Sequence, residues 1–208
     1  MRRLLNQKSV TEGKLHWLFG GPTRRLSPWA RAVRMDMVGA ARLDMIAAYF
    51  APSPGMLRRI ARISRRGGIS RLVTAAKSDN RATIGAARNT YWYLLKRRVE
   101  IFEYQPTKLH TKLFVVDNVV HIGSANFDMR SLFLNLEMML RVEDEAFAAA
   151  MREFVDGEVA ESKQITIAEH RKARTPFARI RWWLAYFLVA IADYRISRRL
   201  NFGFEKKT

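Results

Sequence analysis

The sequence predicts an α/β fold: a layered mixed β-sheet flanked by helices, closed by a C-terminal basic-aromatic helix. Three observations carry this. Strand-like runs alternate with helix-like runs up to about residue 104, the order that builds layers of helix on sheet. Closely spaced strand-like runs then follow, which makes the sheet mixed. Last, Trp182 to Ala192 is apolar without interruption and is bordered by arginines.

In chain order, residues 1–26 mix Gly, Pro, Arg and Lys and read as a linker or irregular lead-in, with GGP at 20–22 as a break. The first residues are basic without an apolar stretch behind them, so no secretory signal is expected. SPWARAVRMDMVGAA (27–41) opens with a Ser-Pro helix start, and RLDMIAAYF (42–50) reads as a buried strand. PGMLRRIARISRRGG (54–68) is an amphipathic helix. Met56, Leu57, Ile60 and Ile63 share one side, and Arg58, Arg59, Arg62 and Arg66 lie toward the other. Those arginines read as a solvated face, with lipid headgroup contact as the alternative. Gly67 and Gly68 end the helix.

Further on, 69–76 is a strand, 82–98 a helix and 99–104 a strand; Tyr91, Trp92 and Tyr93 are expected to pack that helix. KLFVVD, VVHIGS and LNLEMMLRV are strand-like. Residues 143–163 are helical, with acids in the first turn where the helix dipole favours them. A half-domain is thus expected over 27–165 and a basic amphipathic, interfacial tail over 166–208. The eleven apolar residues from Trp182 are too few to span a bilayer, which needs about 17–25. Tryptophans beside Arg179, Arg181, Arg195, Arg198 and Arg199 suit a helix lying at a membrane surface, or else one packed on the core.

Composition narrows the chemistry. The absence of cysteine excludes disulfides and thiolate metal sites. A net charge of +18 attracts phosphate-rich partners, whether anionic phospholipid at a membrane surface or nucleic acid.

The segment KLHTKLFVVDNVVHIGSANFD (108–128) concentrates the candidate residues. On a strand, His110 and Lys112 would face one way. An Asp117-Asn118 turn predicts a hairpin that returns Gly123, Ser124 and Asn126 to the same side, and Glu137 follows on the next strand. These types suit a phosphodiester. An imidazole near neutrality serves as nucleophile or general acid. Lys112 and Asn126 can stabilise phosphate oxygens, with Ser124 either touching phosphate or ordering the turn. A carboxylate behind the histidine would fix its tautomer. No cluster has metal-ligand spacing, so no metal or cofactor is expected. Taken singly, His110 could be structural, Asp117 a turn residue, and Glu137 a partner for an arginine.

Together they form H-x-K-x4-D (His110, Lys112, Asp117) followed by G-S-x-N-x-x-x-R-S (Gly123 to Ser131). This resembles the signature of the phospholipase D superfamily. YFAPSPG, RRGGISRLVTAAKSD, YWYLLKRRVEIFEYQPTKLH and NLE are similar to the second repeat of bacterial cardiolipin synthases, over roughly residues 18–165. The resemblance implies a metal-independent phosphatidyltransferase working through a phosphohistidine, with Asp117 and Glu137 beside His110, Lys112 and Asn126 in the catalytic set. It implies a bacterial inner-membrane location and an anionic, phosphatidylglycerol-like substrate. The motif occurs once here, because His16, His121 and His170 lack a lysine two residues on. His121 is expected to be an ordinary strand residue, and His16 and His170 surface residues. A second half or a homodimer partner must then supply the other histidine, and the second-repeat analogy makes His110 the general acid/base. Two alternatives stay open: a homodimeric metal-independent nuclease or phosphodiesterase, and a catalytically silent membrane-binding half-domain.

Overall fold

The computed structural model describes residues 9–21 and 26–192 of the 208-residue chain. Arg195, Arg198 and Arg199 of the expected tail lie outside the described residues. The chain opens with a hairpin, β1 (Ser9–Glu12) and β2 (Leu15–Phe19), turned at Gly13 with φ +55°. This corrects the irregular reading of the lead-in. Five residues of β2 pair antiparallel with β10 (Met138–Glu143), and Leu18 is buried. A strand this short, set among Gly and Lys, has too few alternating positions to stand out in the sequence.

Helix α1 (Pro28–Asp36) starts at the expected Ser-Pro signal and buries Trp29, Ala30 and Val33. The strand expected over 42–50 is two: β3 (Arg42–Ala47) and the short β4 (Phe50–Ala51). Helix α2 (Pro54–Arg65) is capped by the Ser53 hydroxyl. Gly68 follows because a Cβ there would run into the carbonyl of Ala41. Then come β5 (Ile69–Ala75), α3 (Arg81–Leu95) and β6 (Glu100–Tyr104). The hairpin of β7 (Lys112–Val116) and β8 (Val119–Gly123) turns at Asp117, as expected. Short β9 (Phe127–Asp128) and α4 (Met129–Phe133) precede β10. Helix α5 (Glu145–Ala160), strand β11 (Ser162–Gln164), α6 (Ile167–Ala173) and α7 (Pro176–Tyr186) complete the chain, with a π-helical continuation at Phe187–Ala192.

The nine-stranded sheet runs β1-β2-β10-β8-β7-β3-β5-β6-β11. β3, β5 and β6 are parallel and the remaining pairs antiparallel, so the sheet is mixed. Side chains on β7 alternate between two cores. Phe114 and Val116 join Trp29, Ile60 and Phe127 under α1–α4, while Leu113 and Val115 join Val120, Ala148 and Val155 under α5.

The tail packs on this body. Trp182 and Ala185 of α7 are buried. Gly85 of α3 is the small residue that lets Ala185 approach, and the Tyr186 hydroxyl donates to the Pro52 carbonyl at 2.7 Å. His170, expected at the surface, is buried (3% exposed), its ring stacked 5.2 Å from that of Trp182. His121 is also buried, and its Nε2 meets the Asp36 carboxylate at 2.7 Å. Arg141 forks onto the same carboxylate with two bonds of 3.0 Å. Burial pushes the Asp36 carboxyl up, but these partners outweigh it and hold it at about 2.

Candidate active site

One end of the sheet gathers the start of β7, the end of β8, the start of β10 and the end of β3. His110 lies just before β7 rather than on it and is exposed. The sheet's alternation therefore does not orient it. Instead Lys112, the first residue of β7, turns its Nζ back to donate to the His110 carbonyl at 2.7 Å. Lys112 is buried because it continues the 114/116 row into the core. Burial lowers its ammonium from the ordinary lysine value, while the nearby Glu137 and Asp128 carboxylates pull it back up.

Gly123 ends β8 where a Cβ would collide with the Met138 carbonyl of β10. That close approach permits the next contacts. The Ser124 hydroxyl donates to Glu137 Oε2 at 2.5 Å and accepts from the Met138 amide at 3.0 Å. Ser124 thus orders the turn. The other carboxylate oxygen, Oε1, takes the Ser131 hydroxyl at 2.8 Å and the Asn135 amide at 3.2 Å. Glu137 is held by three donors, none of them the His110 ring.

Asn126 is placed by the bend between β3 and β4. Its Oδ1 accepts from the Tyr49 amide at 3.3 Å, leaving the Nδ2 hydrogens as donors. The parallel pair β4–β9 fixes that register, and Phe50 stacks on Phe127 with ring centroids 5.9 Å apart. Asp128 is buried and caps α4 by accepting from the Ser131 amide at 2.9 Å; burial raises its carboxyl. Tyr49 and Asp128 are positioning residues that motif spacing did not single out, whereas Ser131, the last residue of the G-S-x-N-x-x-x-R-S run, ties the loop after the motif to Glu137. The Gly20 amide, from the stretch read as a break, donates to the Glu137 carbonyl at 2.7 Å.

Asp117 does not join this group. It sits at the far end of the β7–β8 hairpin, about 16 Å along the strand from Lys112. Its carboxylate accepts the Arg42 amide at 2.9 Å and the Ala41 amide at 3.1 Å, and its φ is +46°. The Arg152 guanidinium bonds its carbonyl. The catalytic expectation for Asp117 is corrected: a short acid that tolerates the left-handed turn pins the hairpin to the start of β3. Among the described residues, no group of three or more His, Cys, Asp or Glu side chains could hold a metal ion.

The mixed sheet, with its histidine, buried lysine, asparagine and braced glutamate at one end, defines a phospholipase D-like domain. The chain belongs to the family described as cardiolipin synthase, PLD-like domain, whose model matches residues 39–157. It is 32% identical over 143 residues to cardiolipin synthase A of Pseudomonas aeruginosa, a match over 67% of this chain and 29% of the relative. For cardiolipin synthase A of Proteus mirabilis the identity is 33% over 147 residues, 70% of this chain and 30% of the relative. The match thus spans under a third of the length of these relatives. Among solved structures, Nuc of Salmonella typhimurium, a phospholipase D family member, superposes with TM-score 0.60 at 20% identity, covering 73% of this chain and 99% of Nuc. Phosphatidylserine synthase of Haemophilus influenzae gives 0.62 at 12% identity, over 92% of this chain and 48% of that one. These two likenesses establish the fold.

Proposed function

We propose that the chain is one half of a phosphatidyltransferase of the cardiolipin synthase type, completed by a second motif-bearing half or a second copy. The observation that carries this reading is the pairing of an exposed His110 with a buried Lys112 tied to its backbone. The ring is open to a phosphodiester while the ammonium beside it is fixed.

One imidazole nitrogen attacks phosphorus and forms a P–N bond as the P–O bond to the glycerol leaving group breaks. The second imidazolium gives its proton to that departing oxygen. The acceptor hydroxyl then attacks phosphorus, its proton passes to the second imidazole, and the P–N bond breaks. By the second-repeat analogy, His110 takes the acid/base role; in a symmetric dimer the two copies divide the roles. The Lys112 ammonium and the Asn126 amide face the charge that grows on the non-bridging oxygens. We assign this chemistry to the body spanning 27–165 together with the hairpin that precedes it.

The tail supports presentation to a bilayer. Phe177, Ile180, Trp183, Leu184, Phe187 and Leu188 are all exposed along one side of α7 and its continuation, beside the exposed Arg179 and Arg181. That stripe is the interfacial pattern of an apolar face bordered by cations. Among the described residues, no helix is long and apolar enough to cross a membrane.

The test supplies phosphatidylglycerol vesicles to the full chain, alone and with a partner half. Formation of cardiolipin and glycerol, lost in His110→Ala, is the expected result. Cleavage of plasmid DNA in EDTA without lipid turnover would replace this reading with a nuclease. Vesicle binding with no turnover under either condition would leave a silent membrane-binding module.

A further inference from the structure

Away from the motif, four arginines converge on one groove. Arg34 reaches it from α1, and Arg58, Arg59 and Arg62 from α2. The groove encloses about 350 Å³, and Leu26, Met56 and Phe133 line it beside Ser53 and Gly55. Among the described residues, no carboxylate pairs with any of the four guanidinium groups. Elsewhere Arg71 is matched with Asp44 and Asp156, Arg88 with Glu103 and Arg141 with Asp36, while Arg97 and Arg174 lie over the rings of Tyr93 and Trp92.

Gathering like charges without a counter-ion is unfavourable in the empty protein. Arg59 carries the cost: its partial burial, then the neighbouring Arg34 and Arg62, all lower its affinity for the proton. Arg58, Arg59 and Arg62 share α2, and Arg34 is brought to them from a separate helix. The fork of a guanidinium suits a phosphate oxygen pair, and the lining of Leu, Met and Phe suits what a lipid headgroup is attached to.

The groove also has a fixed relation to the site. Ser53 at its rim is four residues beyond Tyr49, whose amide holds Asn126, so the two lie within about 14 Å. Phe133, also at the rim, is four residues before Glu137. Both tethers run from the groove to the motif end of the sheet.

We infer that this groove is a second phosphate subsite, which holds the phosphodiester headgroup of an anionic phospholipid beside the reacting centre. As a headgroup site it stands on its own; its role as the station of the acceptor lipid rests on the transfer reading above.

The experiment titrates monomeric dihexanoyl phosphatidylglycerol into the full chain by calorimetry. Arg34→Gln/Arg58→Gln/Arg59→Gln/Arg62→Gln is expected to bind at least about tenfold more weakly than the parent. A variant losing the same charge elsewhere, Arg65→Gln/Arg66→Gln/Arg171→Gln/Lys172→Gln, is expected to bind as the parent does. His110→Asn is expected to keep the groove's binding, so a chain with no transferase activity still reports on the groove. Arg58→Gln/Arg62→Gln alters two exposed side chains and serves if the fourfold variant fails to fold; it is expected to weaken binding in the same sense. Undiminished binding in the groove variants, or equal weakening in the charge control, overturns the inference. So does inorganic phosphate binding as tightly as the lipid, or a short oligonucleotide binding the groove more tightly than the lipid.

Discussion

The Lys112 ammonium donates to the backbone carbonyl of His110, two residues away, at 2.7 Å. One side chain thus braces the loop that carries the imidazole and, in the proposed transfer, is also the cation for the phosphate. Lys112→Ala is expected to lower phosphatidyl transfer by about 10²–10³, the loss typical of one charge-stabilising donor. Lys112→Arg keeps the charge but replaces the compact ammonium that folds back on that carbonyl with a longer planar fork, and rescues only in part. Initial rates on phosphatidylglycerol vesicles check both.

Asn126 separates two jobs that alanine would merge. Asn126→Asp retains the oxygen that accepts from Tyr49 and removes the Nδ2 donors. Its melting temperature should match the parent while transfer falls by about 10². Asn126→Ala should lose both, with about 1 kcal/mol of stability. Paired melts and rate assays distinguish the two variants.

Asp117→Ala is expected to behave as a stability mutant. It leaves the Ala41 and Arg42 amides without their acceptor and puts a side chain without local hydrogen bonds at φ +46°. A loss of about 1–3 kcal/mol in denaturant melts is expected. The rate per folded molecule should hold, which a catalytic Asp117 would not allow.

His170 predicts an acid sensitivity. Burial first, then Arg174 and Arg88, lowers its imidazole to about 4, and its Nε2 is buried with no hydrogen-bond partner among the described residues. The fold therefore favours the neutral ring. That contribution is whole above pH 6.5, where the unfolded ring is also neutral, and is lost as the pH falls toward 4. The loss amounts to about 3 kcal/mol at most. His170→Phe keeps the stack on Trp182 and removes the orphan nitrogen. It should flatten stability between pH 6.5 and 4 without lowering it at pH 7.5, as thermal melts across that range would show.

The motif end of the sheet was legible because its chemistry and its turn lie within one hairpin. Asp-Asn announces the reversal, and Gly123 announces the close approach to β10. What was not legible depends on long-range packing. Nothing local tells that Asp117 accepts amides 75 and 76 residues away, or that Asp36 meets Arg141 across 105 residues. His170 sits beside charged Glu169, Arg171 and Lys172, yet its side of α6 packs on aromatic rings from α3 and α7. β11 is three residues, SKQ, with no apolar side chain to betray it. Two donors of Glu137, Asn135 and Ser131, lie within six residues of it, and the third, Ser124, reaches it across the close approach of β8 and β10.

The sheet's outer strands, β1 and β11, are four and three residues long. Ribbons that brief offer few free amides and carbonyls to a newcomer, so continuation of the ladder from one molecule into the next is disfavoured. In the proposed two-half enzyme a companion polypeptide would then meet this chain through the loops around His110, where docking and turnover would share the same contacts.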